Sequence, residues 1–86
     1  MATPQRYNGH HCWNCWNVAL WIGNDEGLYR YALACLRRPR LNTDKPVTPS
    51  IAARRFLDGE FTGAKTPDGA RYTFKAVRAA MVGLME

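Results

Sequence analysis

The sequence predicts a mainly α-helical fold, a small single-domain bundle of about four helices. Three observations predict it. At 86 residues the chain has length for one hydrophobic core and no second independent one. Apolar residues recur at i, i+3, i+4 and i+7, the period of an amphipathic helix. Thr, Asp, Pro and Gly stand where such segments would begin and end.

The first helix is predicted from about Trp13 to Gly23. Trp13, Trp16 and Leu20 share one strip, Ala19, Ile22 and Gly23 lie beside it, and Trp21 adds a third indole. Apolar over so much of its circumference, this helix is expected at the buried centre of the domain. The second runs from about Asp25 to Arg38, with Asn24 or Asp25 as its cap and Glu26 against its positive end. Leu28, Tyr31, Ala32, Cys35 and Leu36 form its buried stripe, Arg30 and Arg37 take the opposite face, and Pro39 stops it.

Residues 39–48 read as a polar loop. Thr48-Pro49 pairs an N-cap with a first-turn proline, opening a third helix that reaches about Leu57 and buries Ile51, Ala52 and Phe56. The last helix is expected to open at Thr66-Pro67 or Asp68 and to run to about Leu84. Phe74, Val77, Met81 and Leu84 would face inward, with Arg71, Lys75 and Arg78 as a solvated row on its flank. A short β-hairpin near residues 60–74 is the alternative, because Phe61-Thr62 and Arg71–Phe74 flank a loop bearing Gly and Pro. Residues 1–8 read as a flexible leading segment.

Composition bounds the function. With 47% hydrophobic and 22% charged residues, the chain is globular and not disordered. The longest run of apolar residues and glycine, Ala79 to Met85, falls far short of the roughly twenty that a membrane helix needs. The opening Met1–Arg6 has no apolar segment of a secretory signal. Together with the odd set Cys12, Cys15 and Cys35, this predicts free thiols in a reducing cytoplasm. The net charge of +5 is uneven: residues 1–36 sum to zero, residues 37–78 carry +6, and Glu86 takes one away. Such asymmetry points to a polyanion or an acidic protein surface as partner, against the plainer alternative of a modestly basic soluble surface. The candidate partner- or phosphate-binding residues are Arg37, Arg38, Arg40, Arg54, Arg55, Arg71, Lys75 and Arg78, with Tyr29 and Phe61 as candidate exposed aromatics.

His10-His11-Cys12-Trp13-Asn14-Cys15 is the most chemically suggestive stretch. Its Cys-x-x-Cys has the spacing of a structural zinc site, which His10 or His11 and Cys35 could complete. Against zinc, there is only one such pair, Cys35 belongs to a core stripe, and a helix from Trp13 turns the two thiols apart. Thioredoxin-like chemistry wants a βαβ setting, and a c-type haem wants His where Trp16 stands. A nucleophilic Cys–His pair would lack an orienting third group. The sequence therefore favours small, half-buried thiols beside tryptophans. No metal, cofactor or catalytic residue is assigned, and no enzymatic activity is expected.

Tyr7-Asn8-Gly9 followed by Trp16-Asn17-Val18-Ala19-Leu20-Trp21-Ile22-Gly23-Asn24-Asp25-Glu26-Gly27-Leu28-Tyr29 resembles a group of short phage and prophage proteins whose N-terminal segments read like YNGWTNYETWNVALWIGNDEGLY. The resemblance runs from Tyr7 to about Tyr31. Cys12 and Cys15 stand where those proteins have Asn and Thr, so it implies no shared metal site. It implies a setting instead: small proteins of mobile elements in bacterial cells, a class that often binds and blocks host machines such as CRISPR effectors and restriction enzymes.

The expected function is stoichiometric binding to a host protein or nucleoprotein defence complex, inhibiting it in the manner of an anti-CRISPR or anti-restriction protein. A basic chain excludes DNA mimicry. The alternative is a nucleic-acid-binding accessory module that contacts phosphates without strong sequence specificity. A homo-oligomer formed through the tryptophan-rich first helix is a third reading. No membrane association is expected.

Overall fold

The structure, a computed structural model, describes residues 13–58, 61 and 63–85. Four helices follow in order: α1 (Trp13–Asn24), α2 (Glu26–Arg37), α3 (Pro49–Leu57) and α4 (Phe74–Met85). α1 packs on α2 and α4, and α3 packs on α2 and α4, so the four close a ring around one core. The mainly α, four-helix fold is the one the apolar spacing predicts. His10, His11, Cys12 and the leading segment 1–8 lie outside the described residues.

The two middle helices begin where capping chemistry places them. Asp25 accepts from the Leu28 N–H at 2.9 Å, and Thr48 Oγ1 accepts from the Ile51 N–H at 3.2 Å, with Pro49 in the first turn. α2 buries Ala32 and Cys35, with Leu28 and Leu36 packed beside them. α3 buries Ala52, Ala53 and Phe56, whereas Ile51 is only half-buried.

The last helix differs from expectation. Thr66-Pro67-Asp68-Gly69 forms a β-turn, closed by the Gly69 N–H on the Thr66 carbonyl at 2.9 Å. Pro67 presets its own φ, Asp68 suits the next position, and Gly69 takes the φ of +95° that follows. The Thr66 N–H then bonds the Ala70 carbonyl at 2.7 Å, the Tyr72 N–H bonds the Ala64 carbonyl at 3.1 Å, and Lys65 and Arg71 form an isolated antiparallel bridge. A hairpin with a single bridge therefore occupies the stretch where a helix opening was expected, because Thr-Pro starts a turn as readily as a helix. α4 is capped later, at Thr73, whose Oγ1 accepts from the Ala76 N–H at 3.1 Å and whose carbonyl accepts from the Val77 N–H at 2.9 Å. Val77 and Met81 are buried as the spacing predicts, and Ala76 and Ala80 with them, but Phe74, also placed inward by spacing, is 40% exposed.

α1 is rotated away from its expected orientation. Cys15, Val18 and Ile22 face the core, while Trp13 and Leu20 are exposed on the opposite side. The cause is a polar stripe at i, i+3 and i+7. Asn17, only 1% exposed, donates from Nδ2 to Asp68 Oδ2 at 2.9 Å and accepts at Oδ1 from the Thr66 hydroxyl at 2.6 Å. Thr66 Oγ1 in turn accepts from the Ala70 N–H at 3.0 Å, and Trp21 Nε1 donates to Asp68 Oδ2 at 2.9 Å. Asn14 brackets the Arg71 backbone, donating to its carbonyl and accepting from its N–H, both at 2.9 Å. Burying Asn17 without these partners would cost free energy, so the hairpin dictates which face of α1 turns inward. Among the described residues, every buried side-chain nitrogen and oxygen has a partner.

Phe56 centres an aromatic cluster with Phe61, Tyr31 and Tyr72, at ring-centroid distances of 4.7, 5.0 and 5.8 Å. Phe61, expected at the surface, is half-buried within it. Tyr29 is exposed, as expected.

Two outcomes follow from the clamp. Asn17→Ala strands the Thr66 hydroxyl and is expected to cost about 1–3 kcal/mol in urea unfolding. Hydrogen bonds from Asn17 first, then Trp21, hold the Asp68 carboxyl below its ordinary value of 3.8. That contribution is present above pH 3.8 and is lost as pH falls through the lowered folded value. The melting-temperature gap between wild type and Asp68→Asn should accordingly close on acidification; a gap that stays constant into strong acid would refute the ionised Asp68 as the stabilising form.

Candidate partner-binding surface

α3 and α4 lie side by side and antiparallel. Ser50, in the first turn of α3, accepts at Oγ from Arg78 Nε at 2.9 Å, and one turn on along α3 the Arg54 guanidinium lies 5.8 Å from the Phe74 ring centroid, one turn back along α4. Both guanidiniums are thus positioned by uncharged partners, a hydroxyl and a ring face. Arg54, Lys75 and Arg78 are all exposed, and they gather beside the N-terminal half of α4, whose aligned dipoles add positive potential.

Arg55 points elsewhere. Its Nη1 donates to the Cys35 carbonyl at 2.9 Å and to the Arg38 carbonyl, and its Nη2 donates to the Pro39 carbonyl at 3.4 Å. These carbonyls belong to the end of α2 and its exit, so Arg55 caps one helix from the next. The Tyr31 hydroxyl completes the junction, donating to the Arg55 and Phe56 carbonyls at 3.3 and 3.4 Å. A recess of about 190 Å³ lies here, lined by Tyr31, Ala34, Cys35, Arg38 and Arg55. Burial pushes the Cys35 thiol up in pKa, outweighing Arg38, Arg55 and a hydrogen bond with Tyr31, which lower it. The thiol is held protonated and is a poor nucleophile.

The eight basic candidates therefore divide. Arg54, Lys75 and Arg78 converge on the α3–α4 face. Arg37, Arg38 and Arg40 stand at the end of α2, and Arg55 is committed to backbone. Arg71, expected in one helical row with Lys75 and Arg78, sits instead in the hairpin bridge. Among the described residues, none of the eight forms an ion pair with a carboxylate; the pair Arg30–Glu26 lies on α2. Cys15 and Cys35 are buried on α1 and α2, and among the described residues no three His, Cys, Asp or Glu side chains gather as a metal site would require. No helix among the described residues is long and apolar enough to cross a membrane.

Phe74 and Ser50 are the members of this surface that sequence reasoning missed. Their signal was the pairing of Ser50 with Arg54 and of Phe74 with Arg78, each at i, i+4 on a helix.

Compared with known proteins, residues 3–86 match the model of a family of unknown function, DUF7249, and the chain belongs to that family. No curated protein and no solved structure matches it.

The two kinds of arginine are separable by stability. Arg55→Met leaves the α2 carbonyls without their donor and is expected to cost about 1–3 kcal/mol in chemical unfolding. Arg54→Gln and Arg78→Gln should each stay within about 0.5 kcal/mol of wild type. Equal costs at all three positions would contradict the division.

Proposed function

We propose that this member of a family of unknown function acts without catalysis, by stoichiometric binding to a macromolecule, as an inhibitor of a host defence complex of the anti-CRISPR or anti-restriction type in the bacterial cytoplasm. The observation that carries the proposal is the α3–α4 face, where Arg54, Lys75 and Arg78 stand exposed beside an exposed Phe74. Arginine and aromatic side chains are the types on which protein interfaces concentrate their binding energy, and an uncompensated positive field speeds encounter. Arg54 on Phe74 and Arg78 on Ser50 have surrendered part of their rotamer freedom before binding, which lowers the ordering cost. The phage setting rests on the resemblance of the segment from Tyr7 to Tyr31.

A second reading, a nucleic-acid-binding accessory module, draws on the same cations lying beside the positive end of α4. It is weakened by their division, since Arg55 is spent on carbonyls and Arg37, Arg38 and Arg40 stand at a different helix end.

Expression in bacteria carrying an active CRISPR or restriction system is expected to restore plating of a targeted phage, with protein and target complex eluting together at fixed stoichiometry. Unrestored plating across a panel of such hosts would contradict the inhibitor reading. Anisotropy titration with duplex DNA across a salt series decides the second reading, which requires micromolar affinity that falls steeply with salt.

A further inference from the structure

We infer that the α3–α4 face docks an acidic amphipathic protein segment, one whose apolar strip is bordered by aspartate or glutamate; this rests on the binding reading above and specifies its partner's chemistry. Along α4, Phe74, Arg78, Val82 and Met85 follow one another at offsets that keep them on a single side of the helix. That strip is about 16 Å long at 1.5 Å per residue. Phe74 is 40% exposed, Met85 is 51% exposed, and Val82 is half-buried. Three apolar side chains with Arg78 among them and Arg54 beside them combine the apolar and cationic contacts that protein interfaces use.

The borders are set by charge. Arg54 leans in from α3 over the Phe74 ring at one border, and Arg78, within the line itself, is steadied by Ser50; among the described residues neither guanidinium forms an ion pair. Among the described residues Arg78 bonds through its Nε to Ser50, and its terminal nitrogens can form a fork for a carboxylate. Lys75 adds a third cation on the same end of α4. A partner offering carboxylates at the border and aliphatic groups at the centre would satisfy both features at once.

A phosphate backbone satisfies only one of them. It would meet the cations but leave Val82 and Met85 in water. Base stacking, which single-strand binders use, would have one ring available, and Arg54 already lies against it.

The test is an anisotropy titration of the full chain with three labelled probes. One is a helical peptide with leucines along one side and glutamates at its borders, the second is the same peptide with glutamines, and the third is an oligothymidylate. Saturable one-to-one binding of the glutamate peptide is expected, tighter than either other probe. Arg54→Glu with Arg78→Glu should weaken it about tenfold or more, and Phe74→Ala should weaken it as well. Circular dichroism checks that each variant is folded, and the pair Arg54→Gln with Arg78→Gln gives the same answer should charge reversal unfold the chain. Absent binding, preference for the oligothymidylate, or an equal loss in Arg37→Glu with Arg40→Glu would overturn the inference. The plating assay separates this outcome from the reading beneath it. A folded Arg54→Glu, Arg78→Glu variant that restores plating as wild type does overturns the docking face and leaves inhibition standing, whereas a wild type that restores nothing overturns inhibition and leaves the peptide titration to decide the face.

Discussion

The hydrogen bonds that Asn17 makes with Thr66 and Asp68 set the arrangement of the other elements. A primary amide at 1% exposure must have both ends satisfied, and here both partners come from one four-residue turn. That requirement fixes the rotation of α1 and locates the hairpin against it. Asn14 then holds the Arg71 backbone, and only two residues separate Arg71 from the first residue of α4. The direction in which Phe74, Lys75 and Arg78 leave the domain is therefore inherited from an asparagine on another helix.

A second junction complements the first. Arg55 of α3 caps the carbonyls at the end of α2, and the Tyr31 hydroxyl returns a bond to α3. Phe56 and the three aromatic rings around it seal the space between these helices and the hairpin. Small residues on α3 and α4, Ala52, Ala53, Ala76 and Ala80, let those helices approach closely. Close approach is what brings Ser50 within reach of Arg78 and Arg54 over Phe74. The surface is thus a by-product of the packing beneath it, with a hydroxyl and a ring face to orient two of its cations.

Local signals were legible in the sequence wherever a residue acts on its own neighbourhood. Asp25 and Thr48 cap the helices they precede, Pro49 sits in the first turn, and the stripe of α2 holds for Ala32 and Cys35. Legibility failed where a long-range partner decides. Hydrophobic spacing placed Trp13, Trp16 and Leu20 together, but the polar stripe Asn14, Asn17 and Trp21 outweighs it, because unmet hydrogen bonds cost more than exposed indole edges. Thr66-Pro67 carries a helix-start signal and a turn signal alike, and Asp68-Gly69 completes the turn. The candidate cations were legible as a charge excess, but not which of them share a face. Arg54 and Arg55 are adjacent in sequence and diverge completely, one to a ring on the surface and the other to the backbone carbonyls at the end of α2.

Hydrogen exchange on Thr66→Val tests the central claim most directly, since valine keeps the shape of threonine and removes the hydroxyl that links Asn17 to Ala70. If the clamp positions the hairpin and through it α4, the amides of Ala70, Arg71 and Tyr72 and those of Ala76 and Val77 should lose protection together, while amides at the α2–α3 junction keep theirs. Unchanged protection at Ala76 and Val77, or a uniform loss through all four helices, would contradict it.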